Sequence, residues 1–130
     1  MRTLLITKAA VELLAGLAFA LFPSLSIDFL LGAQLDAPAG LYAFRMFAVA
    51  ILAMGFGCWL VRNDTGSVAV RGLIIALLFY DLAFVAILLA ARFVAGLSGI
   101  GLWPTVVVHL CLAGFSALRL GKKPAVVRAG

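Results

Sequence analysis

Glu12, Arg45, Asp81 and His109 are the side chains of this sequence best suited to chemistry, and each falls inside a long apolar stretch. Two carboxylates, a guanidinium and an imidazole at bilayer depth could pair as ions, relay protons or hold the polar end of a ligand. An ionisable group there costs about 3 kcal/mol even on a lenient insertion scale. A chain that is 66% hydrophobic had apolar alternatives at all these positions, so the quartet calls for a reason.

Arg45 and Asp81 form the expected central pair, because arginine keeps its proton and needs a carboxylate or a wet cavity. Glu12 follows Lys8 by four residues and can pair with it along one helix. Lys8 also stands close enough to the chain start to snorkel to the interface. His109 can join Asp81 or Glu12, or bond Tyr80 or a backbone carbonyl. Tyr80 adjoins Asp81 in sequence, so on a helix it points about 100° away and need not share the site. The cluster then either glues a bundle together and fixes its partner, or forms a site: a proton relay, a headgroup pocket or a substrate cavity.

Other chemistries lack their residues. The sequence has no Gly-rich phosphate loop, no Cys-x-x-Cys and no His-Glu-x-x-His. No serine has a base and orienter in a recognisable pattern, which disfavours a hydrolase or a nucleotide enzyme. A single histidine makes no bis-His haem site within one chain. Cys58 and Cys111 fall in separate apolar stretches and read as small hydrophobes, so neither a disulfide nor a metal site is expected. No side chain is assigned a catalytic role.

The elements that must position the quartet are transmembrane helices. A mean hydropathy of +1.26, with 12% charged residues, excludes an ordinary soluble domain. Four spans are expected, at about 4–22, 41–61, 68–91 and 102–120, each matching a hydrocarbon core of about 30 Å. They stop at Pro23, at Arg62-Asn63-Asp64 and at Gly121-Lys122-Lys123. The expectation is therefore all-α: one domain over 1–130, an integral membrane four-transmembrane-helix bundle. Lys8 and Glu12 interrupt the first apolar stretch, which reads as a retained span rather than a signal peptide despite Ala18-Phe19-Ala20. The tight connection 62–67 should make the second and third spans antiparallel neighbours.

The net charge is +5, and its placement carries the information. Arg2, Lys8, Arg62, Arg71, Arg119, Lys122, Lys123 and Arg128 mark one side of the membrane. Asp28 and Asp36 mark the first loop, and Arg92 is the only charge near the third connection. The positive-inside rule puts both termini in the cytoplasm, in a bacterial inner (plasma) membrane protein. The basic tail can touch anionic lipid, and nucleic acid is not an expected partner. The segment 23–32 reads as a short interfacial helix in the first outer loop, either an anchor or a lid.

Small residues mark expected helix contacts: Gly16 and Ala20 on the first span, and Ala43, Ala50, Ala53 and Gly57 on the second. On the fourth, Thr105, His109, Ala113 and Ser116 share one face. Tyr42, Trp59 and Trp103 sit where aromatic belts are expected.

One resemblance follows from this order of features. The first span ends in Phe22-Pro23, and a Leu30-Leu31-Gly32 element follows. The second span carries Arg45 early and Gly55-Phe56-Gly57 late, and two more spans complete the chain. This resembles the broad DoxX-like group of small four-helix bacterial membrane proteins, through short motifs spread over most of the chain. Some DoxX members are subunits of quinone-linked thiosulfate oxidation, and the resemblance implies such a role without assigning residues.

The sequence thus leads to a small membrane accessory subunit or homo-oligomeric module, with no independent aqueous chemistry. The alternative is a DoxX-like redox subunit or a quinone- or lipid-binding protein, its site between Arg45, Asp81 and His109 beneath the segment 24–32. A second alternative is a dimeric small transporter or proton pathway.

Overall fold

The computed structural model describes residues 1–35, 37–64 and 66–121, which form five helices and, among these residues, no strand. They are α1 (Arg2–Leu21), α2 (Pro23–Leu31), α3 (Pro38–Leu60), α4 (Val68–Phe93) and α5 (Leu102–Leu120). All but α2 are long and apolar enough to cross a membrane. Asp36, Lys122, Lys123 and Arg128, used above to argue topology, lie outside the described residues.

Local chemistry sets the helix ends. Proline stands at the first position of α2 and of α3, where its missing N–H is no loss and its φ suits the helix. That is why α3 starts at Pro38, ahead of the apolar run expected from 41. Ser67 caps α4 by accepting from the Val70 N–H at 3.2 Å. Gly32 ends α2 in the left-handed conformation, at φ 63°, where a side chain would be strained.

Helix α1 packs mainly on α3, and α4 mainly on α5. The α1–α3 approach depends on two missing side chains. A Cβ at Gly16 would sit 2.7 Å from Leu52 Cγ, and one at Gly55 would sit 3.0 Å from Glu12 Cβ and Leu13. The buried face of α3 is Ala48, Ile51, Gly55 and Cys58. The expected stripe on this helix is not the face buried within the chain: Ala43, Ala50 and Ala53 are exposed, and Gly57 faces open space. Ala53 is two residues from both Ile51 and Gly55, which places it on the far side of the helix. On α5, Ala113 and Ser116 are buried beside His109, and on α1 Gly16 is buried while Ala20 is half-buried.

The α3–α4 turn is tight, but these two helices are not each other's main backbone partners. They meet through side chains instead, with Cys58 in one apolar cluster with Val70, Ile74 and Leu77, and the Phe47 and Phe84 rings stacked at 6.2 Å. Cys58 and Cys111 are both free thiols, one buried and one exposed.

Helix α2 is tied to both helix pairs at one end of the bundle. Its Ser26 hydroxyl donates to the Phe22 carbonyl at 2.8 Å and faces the Ala18 carbonyl of α1 at 3.2 Å. From the α4–α5 connection, Ser98 N–H donates to Leu31 O and Gly101 N–H to Phe29 O, at 2.9 and 2.8 Å. A Cβ at Gly99 would overlap the Phe29 carbonyl oxygen and the Leu30 backbone, so this close approach demands glycine.

Candidate functional site

Helical spacing brings the polar residues together. On α1, Leu4, Lys8, Glu12 and Gly16 recur every four residues along one buried ridge. On α4, the buried face Val70, Ile74, Leu77, Asp81, Val85 and Leu88 carries Asp81 at its middle. On α5, Leu102, Val106, His109, Ala113 and Ser116 present the imidazole inward.

Asp81 is the hub. The Lys8 ammonium donates to Asp81 Oδ2, with both side chains fully buried. His109 Nδ1 lies 3.1 Å from Asp81 Oδ1. An ionised Asp81 only accepts, so Nδ1–H is the donor of this contact. Glu12 stands beside this pair at 1% exposure. Its Oε1 is a buried oxygen without a hydrogen-bond partner among the described residues.

Charge accounting isolates Glu12. Lys8 and Asp81 neutralise each other, and the His109 imidazole completes the coordination of Asp81. Glu12 then remains as the buried carboxyl group outside these salt bridges. One ligand atom each from Glu12, Asp81 and His109 lies within 4.8 Å of the others, close enough for a small cation to bridge. Both Asp81 oxygens, however, are already engaged by Lys8 and His109.

A cavity of about 520 Å³ lies beside the cluster, partly open on one side. Glu12, Tyr80 and His109 line it, as do the hydroxyl residues Ser26 and Thr105. Its walls are apolar and rich in aromatic rings, with Phe19 and Phe22 at the α1 end and Phe84 from α4, while Leu25 and Phe29 of α2 close it on another side. The His109 ring packs 4.6 Å from Phe84 and edge-on to Tyr80 at 5.7 Å. A second, wholly apolar cavity of about 390 Å³ lies between α2, α3 and α4, and Leu30 and Phe84 line both.

The expected partners change in three respects. Arg45 does not reach Asp81: it is exposed on α3, with its guanidinium 5.9 Å from the Tyr42 ring centroid. It lies about 100° round the helix from the middle of the buried face. Lys8 neither snorkels nor pairs along its own helix, because its ridge faces inward and Asp81 is across the bundle. Tyr80 does join the site, since its long side chain spans the angular offset from Asp81 and lines the same cavity. The structure thus unites Glu12, Asp81 and His109, adds Lys8 and Tyr80, and leaves Arg45 outside. The signal for Lys8 was in the sequence: four-residue spacing put it on the same face as Glu12 and Gly16.

Comparison with family models, with curated proteins and with solved structures finds no match for this chain.

Proposed function

We propose that this is a bacterial inner-membrane protein that binds a small amphiphile in the cavity between α1, α2, α4 and α5. In this reading both termini are cytoplasmic, and α2 lies at the outer interface as a wall of the site. The observation that carries the proposal is the cavity of about 520 Å³, lined mostly by apolar side chains and by Glu12, Tyr80, His109, Ser26 and Thr105. Pockets of this size that combine apolar walls with a few convergent polar groups are characteristic ligand sites. A buried oxygen on Glu12 that nothing among the described residues satisfies adds to it, because such groups carry a cost unless a partner arrives. The quinone implied by the DoxX-like resemblance, or a lipid, belongs to this general class of ligand.

Mass spectrometry of the particle after extraction in mild detergent tests the reading. A small lipophile should co-purify and be lost when Thr105→Phe fills the cavity. A particle that carries only bulk lipid, in the same amount with and without that substitution, would refute it.

A second reading, an accessory or homo-oligomeric subunit, draws on the outer face of α3. Ala43, Ala50 and Ala53 are exposed there, and Gly57 faces open space. Small residues on a lipid-facing helix allow a second helix to approach closely. The same spectra should then show a defined number of chains, and Ala50→Leu with Ala53→Leu should dissociate them.

A further inference from the structure

The amphiphile reading says where a ligand sits but not how far it extends. Resting on that reading, we infer that the ligand carries a long hydrocarbon chain, and that this chain passes from the first cavity between Leu30 and Phe84 into the second.

The argument begins with the boundary between the cavities. The first lies between α1, α2, α4 and α5, and the second between α2, α3 and α4. Leu30 of α2 and Phe84 of α4 line both, so this pair of side chains stands where the two spaces adjoin. The rings around it form one connected group. Phe19, on the wall of the first cavity, lies 5.0 Å from Phe44 on the wall of the second, and Phe47 lies 6.2 Å from Phe84. These four rings meet among α1, α3 and α4, yet all are only half-buried. Protein interiors normally close-pack and leave few voids larger than a water molecule. Two adjoining cavities beside half-buried rings depart from that rule, and a chain laid across the boundary would restore contact on both sides.

The linings set which part of the ligand goes where. Glu12, Tyr80, His109, Ser26 and Thr105 line the first cavity. Every residue that lines the second is apolar, from Ile27 on α2 to Ala91 on α4. A polar group placed there would give up its hydrogen bonds without replacement, whereas hydrocarbon loses nothing. The head therefore belongs in the first cavity and the tail in the second. On α4 the second cavity extends from Phe84 to Ala91, about 10 Å along the helix axis. A compact ligand confined to the first cavity would leave that length and its volume of about 390 Å³ unfilled.

The test uses two straight-chain alcohols, hexanol and hexadecanol, each carrying a photoreactive diazirine at the end away from the hydroxyl. A hydroxyl both donates and accepts, so it suits the polar residues in either protonation state. Purified full-length protein in lipid nanodiscs is irradiated with each probe, and the labelled residues are mapped by peptide mass spectrometry. Leu88, at 3% exposure, reports the second cavity and is screened from bulk lipid. Ser26 and His109, at 7% and 6%, report the first.

The hexanol probe should label the first cavity alone. The hexadecanol probe should label Leu88, and an excess of unlabelled hexadecanol should remove that label. Thr105→Phe, which fills the first cavity, should abolish it as well, because the chain enters from there. Should that variant not fold, Ala18→Phe fills the same cavity from α1 and gives the same readout. A hexadecanol label confined to the first cavity would overturn the long-chain inference and leave the amphiphile reading standing. So would Leu88 labelling by the hexanol probe, or Leu88 labelling that survives the filled first cavity, since the chain would then arrive by another route. No competable label in either cavity from either probe would overturn both.

Discussion

Lys8 and Asp81, 73 positions apart in the chain, meet as a fully buried ion pair between α1 and α4. Neither has a route to water, so each is the other's principal electrostatic partner. A buried pair of this kind adds little net stability, but losing one member strands a charge.

Lys8→Met and Asp81→Leu should each destabilise the protein by about 3–5 kcal/mol. The double variant should be no worse than either single one, because it removes both charges and leaves apolar packing. Unfolding of the purified protein in detergent measures the cycle. Strictly additive losses would show that the two residues are not coupled.

Arg45→Gln should change stability by less than about 0.5 kcal/mol, as expected for an exposed side chain held only by a ring contact. A loss as large as that of Asp81→Leu would return Arg45 to the interior.

The glycines of α3 should separate sharply. Gly55→Ala brings a Cβ against Glu12 and Leu13 at 3.0 Å and should cost about 1–3 kcal/mol. Gly57→Ala meets nothing and should gain about 0.5–1 kcal/mol from helix propensity. Melting temperatures moving in the same direction for both would contradict the packing described.

The α3–α4 turn makes a prediction about pH. Asp64 Oδ1 accepts from Ser67 N–H at 3.2 Å, and the Ser67 hydroxyl with this N–H holds the Asp64 carboxyl below its ordinary value of 3.8. A carboxyl lowered by folding stabilises the fold above its unfolded value, and that contribution fades as pH falls through the folded one. The wild type should therefore lose more stability than Asp64→Asn between about pH 5 and pH 3. Ser67→Ala should cost about 1 kcal/mol at neutral pH through loss of the α4 cap. Identical acid profiles for wild type and Asp64→Asn would exclude the contact as a contributor.

The helices were legible because apolar runs long enough to span a bilayer have few other uses. Helix α2 was legible from its proline and its closing glycine. The inward faces of α1 and α5 were also readable, since their polar and small residues repeat at helical spacing. The face of α3 was not. Its sequence offers small residues on both sides, and choosing between them requires knowing that Gly16 and Gly55 let α1 come close. Arg45 was misplaced for the same reason. Lys8 was misread because distance from the chain start was weighed above angular position on the helix. The cavity was not legible at all, since it is the space left between two helix pairs and belongs to no single segment.

The backbone bonds from Ser98 and Gly101 to α2 have a consequence for traffic. They anchor α2 to the α4–α5 connection, while Ser26 holds it to the end of α1. Leu25 and Phe29 therefore line the cavity from a helix held at two points. Ala15 and Ala18 of α1 and Pro104 and Thr105 of α5 belong to the same lining. On the function proposed above, α2 is then a fixed wall of the site rather than a lid, and a ligand would enter and leave without that helix moving.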